Sequence, residues 1–295
     1  MDSRFLKSLI TLVENGSIAD AARIEGMTAA AVSQRIQVLE RQFGFPLLLR
    51  LGNSAKPTEA CMALLPRAKT IVREVEALAG DADSAGLTGS YRIGAISTVL
   101  TGTMPKVLRS LAVSAPRVRA IIHPGTSHRI YESLLAGELD AAIVVAPSFV
   151  LPKTLRRVSL FSEELVLLSR EVPSEDIDSY LLAQPYLRYD PNSWGGMLGE
   201  KYIKNKGLRL TSRIDLDGLE AIALLVAEGM GVSLVPHWRG LGRLADGCKI
   251  TPVSEIGYAR EIVLLTHVQS QRPGMDEALK NAVNECPWER VEEQY

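Results

Sequence analysis

The stretch Ser17–Gly44, SIADAARIEGMTAAAVSQRIQVLERQFG, decides the fold of the first part of this 295-residue chain. Ser17 is placed to cap one short helix, and Gly26 gives the tight turn that ends it. Thr28 is placed to cap the next helix, which ends at Gly44. Two short helices joined by such a turn predict a helix–turn–helix.

The second of these helices has an apolar face and a polar face. Its apolar stripe, spaced by four, three and four residues, consists of Val32, Ile36, Leu39 and Phe43. The residues off this stripe are expected to face outward: Thr28, Ala29, Ala30, Ser33, Gln34 and Gln37. Gln34 can pair with adenine through two hydrogen bonds, and alanine methyls pack on thymine methyls. The alternative is a small helical bundle with a solvated charged face.

Two further elements flank this unit. The apolar residues between Phe5 and Val13 recur at helical spacing, which predicts a helix that Asn15-Gly16 ends. After the second helix of the helix–turn–helix, the apolar run 47–51, a turn at 52–54 and the segment 56–58 predict a small hairpin.

Local charge favours nucleic acid as a partner of this unit. The whole chain has 33 Lys and Arg against 34 Asp and Glu, and the net charge of −1 alone argues weakly against nucleic acid. Residues 28–58 carry +3, from one acid, Glu40, and four basic residues, Arg35, Arg41, Arg50 and Lys56. The other 29 basic and 33 acidic residues sum to −4. The pattern predicts a basic DNA reader attached to a larger, acidic domain.

A long helix is expected to follow the hairpin, from Glu59 to about Ala79. Its apolar residues alternate spacings of three and four, as in the a/d seam of a coiled coil. Cys61 opens the seam, and the positions predicted to mediate dimerisation are Leu64, Ala68, Ile71, Val75 and Leu78. The alternative is that this face packs against its own domain. Residues 80–89 are rich in Asp, Ser and Gly and predict a hinge.

From Tyr91 onward, strands alternate with helices. This alternation predicts an α/β domain with parallel sheets. An open α/β sheet binds ligands beyond the carboxyl ends of its strands. The first such ends carry Ser97, Thr98 and Thr101, and then Gly125, Thr126 and Ser127. Hydroxyls and free N–H groups at a helix start suit a carboxylate, although plain capping of the helices needs no ligand.

A later strand end offers Arg188, Tyr189 and Trp194. An aromatic pair beside an arginine can bind a small organic acid. The alternative is a surface loop with buried aromatic side chains.

The first sixty-odd residues resemble the LysR-type transcriptional regulators. The matching positions are Gly16-Ser17, Ala21-Ala22, Ala31 to Ile36, Leu39-Glu40, Phe43-Gly44, Pro46-Leu47, Leu49-Arg50 and Thr58-Glu59-Ala60. The resemblance implies a winged helix–turn–helix over 1–58, a dimerising linker helix and hinge over 59–89, and a two-lobed effector domain over 90–295. That domain would resemble periplasmic solute-binding proteins, with 90–160 and 268–295 in lobe one and 161–267 in lobe two.

By this resemblance the loops at Ser97 and Gly125 line the effector cleft, and the chain crosses between lobes near 159–162 and near 266–270. The DNA-contacting set then gains Ser17 and the wing residues Arg50, Ser54 and Lys56. The chain departs from the family where Ala29 and Ala30 replace a polar residue and proline. It also lacks the aromatic usual near Leu48, and its wing carries fewer basic residues. One base contact and some phosphate anchoring are therefore expected to be weaker.

Other classes of protein find little support. The four histidines lack metal-binding spacing, and no Gly-x-Ser-x-Gly elbow or Walker A loop occurs, so no catalytic residue, metal or cofactor is predicted. The three cysteines are far apart and lack a Cys-x-x-Cys motif. No signal or membrane segment is apparent, which predicts a cytosolic protein. The expected partners are double-stranded DNA, a small anionic or zwitterionic effector, and the chain itself as a homodimer or homotetramer. A solute-binding-fold enzyme, or a binding protein without a DNA role, is the alternative.

Overall fold

The computed structural model describes residues 2–51, 54–81, 83, 86–173, 176–253 and 257–286. The chain divides into two compact units, Met1–Ser84 with Ala136–Glu138, and Ala85–Leu135 with Leu139–Tyr295. The helix expected to form a separate linker thus belongs to the first unit. Within the described part of the chain, no helix combines the length and apolar character needed to cross a bilayer.

The N-terminal unit contains four helices and a hairpin among its described residues. They are α1 Ser3–Asn15, α2 Ile18–Glu25, α3 Ala29–Phe43, β1 Leu48–Leu51, β2 Ser54–Pro57 and α4 Glu59–Asp81. Ser17 and Thr28 cap α2 and α3, because their hydroxyls accept hydrogen bonds from the N–H groups of Asp20 (3.0 Å) and Ala31 (3.2 Å). Gly16, Gly26 and Gly44 end the three helices in the left-handed conformation, with φ of 76°, 65° and 82°. The predicted helix–turn–helix and hairpin are confirmed.

The core of this unit contains part of the apolar seam of α4 that was predicted to mediate dimerisation. The stripe of α3 packs with Leu6, Leu9 and Leu12 of α1 and with residues of α4. Ala68 is only 3% exposed and lies in this core, so its assignment to a dimer seam is wrong for this packing. Leu64 and Ile71 are half-buried against the same core, whereas Val75 and Leu78 are exposed. The beginning of α4 therefore packs on its own domain, and its later turns keep an open apolar face.

The C-terminal unit alternates strands and helices as predicted. Its elements are β3 Gly89–Ala95, α5 Ser97–Gly102, α6 Met104–Ser114, β4 Val118–Pro124, α7 Ser127–Leu135, β5 Ala141–Val145, β6 Leu155–Ser169, α8 Ile177–Ala183, β7 Tyr186–Tyr189, α9 Met197–Asn205, β8 Ser212–Leu216, α10 Leu219–Ala227, β9 Ser233–Pro236, α11 Leu241–Leu244, β10 Lys249–Pro252, β11 Ala259–His267 and α12 Pro273–Asn284. The short elements α5, α8, α11 and β10 had no clear sequence pattern, because each is too short to show a period.

The main sheet is mixed, which corrects the prediction of parallel sheets. Its strand order is β10-β6-β11-β5-β3-β4, and β9 also pairs with β6. Strand β3 runs parallel to β4 and β5, whereas β11 runs antiparallel to β5 and to β6. The separate pair β7-β8 is parallel. The antiparallel strands arise because β6 leaves one lobe and β11 returns to it.

The two crossing strands set the lobe boundaries. The segment 262–266 of β11 pairs with β5 in lobe one, whereas residues 165–169 of β6 pair with β9 and β10 in lobe two. The first crossing agrees with the predicted position near 159–162. The return crossing lies near Glu261, before 262–266, so its predicted position at 266–270 is wrong. The chain crosses inside β11 and not after it, and α12 packs in the core of lobe one.

Candidate DNA-binding surface and effector cavity

The N-terminal end of α3 presents a small, polar surface. Thr28, Ala29, Ala30, Gln34 and Gln37 are exposed, and Ser33 is half-buried. Their outward orientation agrees with the sequence pattern, because Val32, Ile36 and Leu39 are buried on the other face. An exposed helix start with alanine, serine and glutamine matches what the major groove accepts.

The wing is described in part. Lys56 is exposed and Ser17 is half-buried. The side chains of Arg50 and Ser54, and the turn residues Gly52 and Asn53, lie outside the described residues. The carboxylate of Glu40 accepts hydrogen bonds from the N–H groups of Leu47 (2.8 Å) and Leu48 (3.2 Å). This contact ties the hairpin to α3.

Arg35 is half-buried between the helices of this unit and does not belong to the exposed start of α3. Its Nη1 donates to Ser8 Oγ (2.9 Å) and to Glu25 Oε2 (3.0 Å), and Ser8 Oγ donates to the same carboxylate (2.7 Å). The three residues join α1, α2 and α3. The local charge of +3 counts Arg35 but not its partner Glu25, which lies outside residues 28–58. The charge available to DNA is therefore smaller than the sequence sum.

The C-terminal unit contains a cavity of about 390 Å³ at the carboxyl ends of four strands. Lobe one contributes the segment after β3 and the segment after β4, and lobe two contributes the residues after β7 and β8. This is where an open α/β sheet binds ligands. Residues around it are Ile96, Ser97, Thr98, Gly125, Thr126, Ser127, His128, Val145, Tyr189, Asp190, Asn192, Ser193, Trp194, Gly195, Asp217, Leu219 and Arg260.

Seven predicted effector residues line this cavity together: Ser97, Thr98, Gly125, Thr126, Ser127, Tyr189 and Trp194. Thr101 and Arg188 do not. Helix α5 begins at Ser97, so Thr101 lies one turn along it and donates to the Ser97 carbonyl (3.1 Å). Arg188 alternates with Tyr189 along β7 and therefore points the other way. Its guanidinium binds both carboxylate oxygens of Glu200, at 2.7 and 2.6 Å.

Arg260 borders the cavity from β11 and was not among the residues predicted from the sequence. The side chain is almost fully buried and lies opposite Glu163 in the register of β6 and β11. Arg260 Nε donates to Glu163 Oε2 (2.7 Å), and Nη2 donates to Thr98 Oγ1 (3.0 Å). Burial raises the pKa of Glu163, while the charge of Arg260 opposes that rise. A charged residue at the end of an apolar strand pattern was the one available signal.

Arg260 also reaches toward lobe two. A Cβ at Gly195 would lie 2.5 Å from Arg260 Nη1 and 2.8 Å from the hydroxyl of Tyr189, so a larger residue would force these side chains to move. Burial raises the pKa of Tyr189, and the positive charge of Arg260 opposes this. One guanidinium thus lies against groups of both lobes.

Trp194 of lobe two packs on an aromatic cluster of lobe one. Its ring centroid lies 5.8 Å from that of Tyr131, 5.5 Å from that of Phe149 and 6.4 Å from that of His128. Tilted and edge-on contacts at these distances are favourable for aromatic rings. The two lobes are therefore in contact beside the cavity.

The described residues that line this cavity include no metal-binding cluster and no cysteine. Among the described residues, no group of three or more His, Cys, Asp or Glu is arranged to hold a metal ion. Cys61, Cys248 and Cys286 are free thiols and none of them lines the cavity. Burial raises the pKa of Cys61 and of Cys248, which makes their thiolates scarcer.

Both units match one family of known proteins. Residues 3–62 match the bacterial regulatory helix-turn-helix protein of the lysR family, and residues 84–286 match the LysR substrate binding domain. The HTH-type transcriptional regulator YofA of Bacillus velezensis is 31% identical over 239 residues, which cover 80% of this chain and 81% of that protein. This chain belongs to the LysR family of transcriptional regulators.

Other LysR-type proteins extend this relationship over almost the whole chain. The hydrogen peroxide-inducible genes activator of Haemophilus influenzae is 27% identical over 295 residues, with 97% of each chain covered. Full-length CbnR in complex with its target DNA has the same fold, with a TM-score of 0.70 at 19% identity, covering 97% of this chain and 100% of that one. The protein is therefore a DNA-binding LysR-type regulator with an effector-binding domain, as the sequence predicted.

Proposed function

We propose that this LysR-type regulator binds DNA through the exposed start of α3 and through the wing, and that a small molecule in the cavity changes this binding. The base-reading residues are Ala29, Ala30, Ser33, Gln34 and Gln37, and Arg50 and Lys56 approach phosphates, supported by Ser17, Thr28 and Ser54. Two copies would read half-sites roughly 34 Å apart, one turn of DNA. A protein with this role works in the cytosol.

The observation that carries the effector proposal is the shared cavity. Residues predicted from two separate strand ends of lobe one and from lobe two surround the same space. Arg260 lies at the crossing strands and contacts Thr98 of lobe one. A ligand that binds the two lobes more tightly in one arrangement shifts the population toward that arrangement. The ligand classes that suit this cavity are small organic acids and amino acids, and the enzyme alternative has no comparable support.

The proposed dimer contact is the open face of α4. Val75 and Leu78 are 44% and 62% exposed, and Leu64 and Ile71 continue the same seam toward the domain core. Exposed apolar residues at coiled-coil spacing favour a second helix as the partner. Two copies would form a homodimer, and four a homotetramer.

A salt series on the DNA upstream of the chain's own gene tests the DNA half of the proposal. Lys56→Ala is expected to weaken binding about equally on all sequences and to reduce the slope of log affinity against log salt by about 1. Lys153→Ala is the matched control, because it removes an exposed lysine from the C-terminal unit. An unchanged slope for Lys56→Ala, or an equal change for Lys153→Ala, would contradict the wing contact.

A ligand screen tests the effector half. Small acids, amino acids and aromatic metabolites are assayed by thermal shift, where a ligand at 100 times its Kd adds about 2.7 kcal/mol of stability. Ser97→Ala removes an exposed hydroxyl from the cavity and is expected to abolish the response while DNA binding persists. If hits respond equally in the variant, Ser97 is not part of the site. If no compound stabilises the protein, the effector proposal fails.

A further inference from the structure

We propose that the effector is an amino-acid-like zwitterion whose protonated amine is bound by Asp190 and Asp217. This inference rests on the proposed function, because it names the ligand class of the same cavity. It separates the amino acids from the organic acids, both of which the sequence left open. It follows from the balance of charges around the cavity.

The two aspartates lie side by side at the ends of parallel strands. Strands β7 and β8 pair through Tyr189 and Leu216, and the N–H of Asp190 donates to the carbonyl of Leu216 (2.8 Å). The next residues along each strand, Asp190 and Asp217, therefore meet at the same edge and both line the cavity. Like charges at neighbouring positions of a sheet repel each other.

Their environment leaves room for a cation. Asp217 is exposed to solvent at the cavity, and partial desolvation together with the nearby carboxylate of Asp190 raises its pKa. The Oδ1 atom of Asp190 accepts from the N–H (2.9 Å) and the side-chain amide (3.1 Å) of Asn192. Among the residues that the structure describes, none donates a hydrogen bond to the Asp217 carboxylate. A positive ligand group between the two carboxylates would relieve their repulsion.

Among the described residues that line the cavity, no unpaired positive charge balances these two carboxylates. The positive charge of Arg260 is already paired with Glu163, at 2.6 Å. His128, the other basic residue of the lining, contacts Glu132, which does not line the cavity (3.3 Å). A purely anionic ligand would therefore bring a further negative charge beside two carboxylates, and Coulomb repulsion would disfavour it.

The lobe-one side suits the opposite end of a zwitterion. The start of α7, with Ser127 and His128, faces the cavity, and so does the exposed hydroxyl of Ser97. A helix start with free N–H groups favours a carboxylate. Tyr189, Trp194, Val145 and Leu219 supply apolar and aromatic surface in the same cavity. A ligand that carries a carboxylate, an amine and an apolar side chain, as an α-amino acid does, matches these three kinds of surface.

Matched sets of three compounds test the charge assignment. Phenylalanine, 3-phenylpropanoate and phenethylamine differ only in their charged groups, and leucine, 4-methylpentanoate and isopentylamine form an aliphatic set. Binding to the full chain is measured by calorimetry for wild type, for Asp217→Asn and for Asp215→Asn. Asp215 lies on β8, two residues before Asp217, but does not line the cavity, so it is the matched control.

The amino acid of at least one set is expected to bind tightest, with the amine next and the acid weakest. Asp217→Asn should weaken the amino acid at least tenfold and leave the acid unchanged or tighter, while Asp215→Asn has no effect. If the acids bind as tightly as the amino acids and Asp217→Asn changes nothing, the amine inference is overturned while the effector site stands. If no compound of either set binds, the amino-acid inference is overturned, and the broader screen then decides the effector proposal separately.

Discussion

Arg260 and Glu163 face each other across β6 and β11, the two strands that cross between the lobes, and form an ion pair with both side chains buried. The same guanidinium donates to Thr98 in lobe one. The charge pair therefore joins the two strands that connect the lobes, so a movement of one lobe against the other would affect it. It also leaves the adjoining cavity without a free positive charge.

Removing one partner of this pair is expected to be costly. Glu163→Gln leaves the guanidinium buried without its counter-charge, which costs about 3–5 kcal/mol of unfolding free energy. The double variant Glu163→Leu, Arg260→Met removes both charges and should lose much less. The measurement is urea unfolding of the full chain. Equal losses in the single and double variants would contradict the role of the pair.

A neighbouring pair on the same two strands is the control. Arg157 and Glu261 also form a salt bridge between β6 and β11, but their side chains are more than one-third exposed. Exposed pairs contribute only about 0–1 kcal/mol, because water screens them. Glu261→Gln should therefore change the unfolding free energy little.

Local signals explain why the N-terminal unit was predictable. Capping residues such as Ser17 and Thr28, and helix-ending glycines such as Gly26, act within a few residues, so the helix bounds follow from the sequence. The cavity loops at Ser97 and Gly125 were predictable because strand ends of an open sheet share one edge.

The remaining features depend on contacts that sequence does not show. Arg260 meets Glu163 across 97 positions of the chain, and Arg35 meets Ser8 across 27. Sequence periodicity carries no information on such pairs. The dimer seam failed at Ala68 for a related reason, since one apolar stripe fits either a partner helix or the domain's own core.

Gln34 is expected to distinguish specific from random DNA. Gln34→Ala removes a base-reading amide, so it should cost about 1–3 kcal/mol on the specific site and little on random DNA. Gln42→Ala is the matched control, because Gln42 is also exposed on α3 but lies in its last turn. Competition binding with specific and random duplexes measures both effects. Equal losses on the two duplexes would remove Gln34 from the base-reading set.

Self-association is expected to depend on the open face of α4. The double variant Val75→Glu, Leu78→Glu places two like charges in the proposed seam, so sedimentation velocity should show a smaller species. Val113→Glu is the control, because Val113 is 80% exposed on the C-terminal unit. If the mass of the double variant is unchanged, the dimer contact does not lie on this face of α4.

The pH dependence of stability is expected to carry a contribution from Asp276. Its Oδ1 accepts from the hydroxyl of Tyr91 (2.5 Å), and burial raises its pKa above the ordinary 3.8. An acid with a higher pKa in the folded state holds an extra proton there, so stability falls as pH rises from the unfolded pKa through the folded pKa. Asp276→Asn removes this fall and retains an acceptor for Tyr91.

The variant should therefore gain stability relative to wild type as the pH rises above about 4, and the difference should level off once the pH passes the folded-state pKa of Asp276. Urea unfolding between about pH 4 and pH 8 measures the difference. Glu277→Gln, on the neighbouring exposed position of α12, should show no such trend. A variant that instead loses stability with rising pH would mean that the ionised Asp276 stabilises the fold.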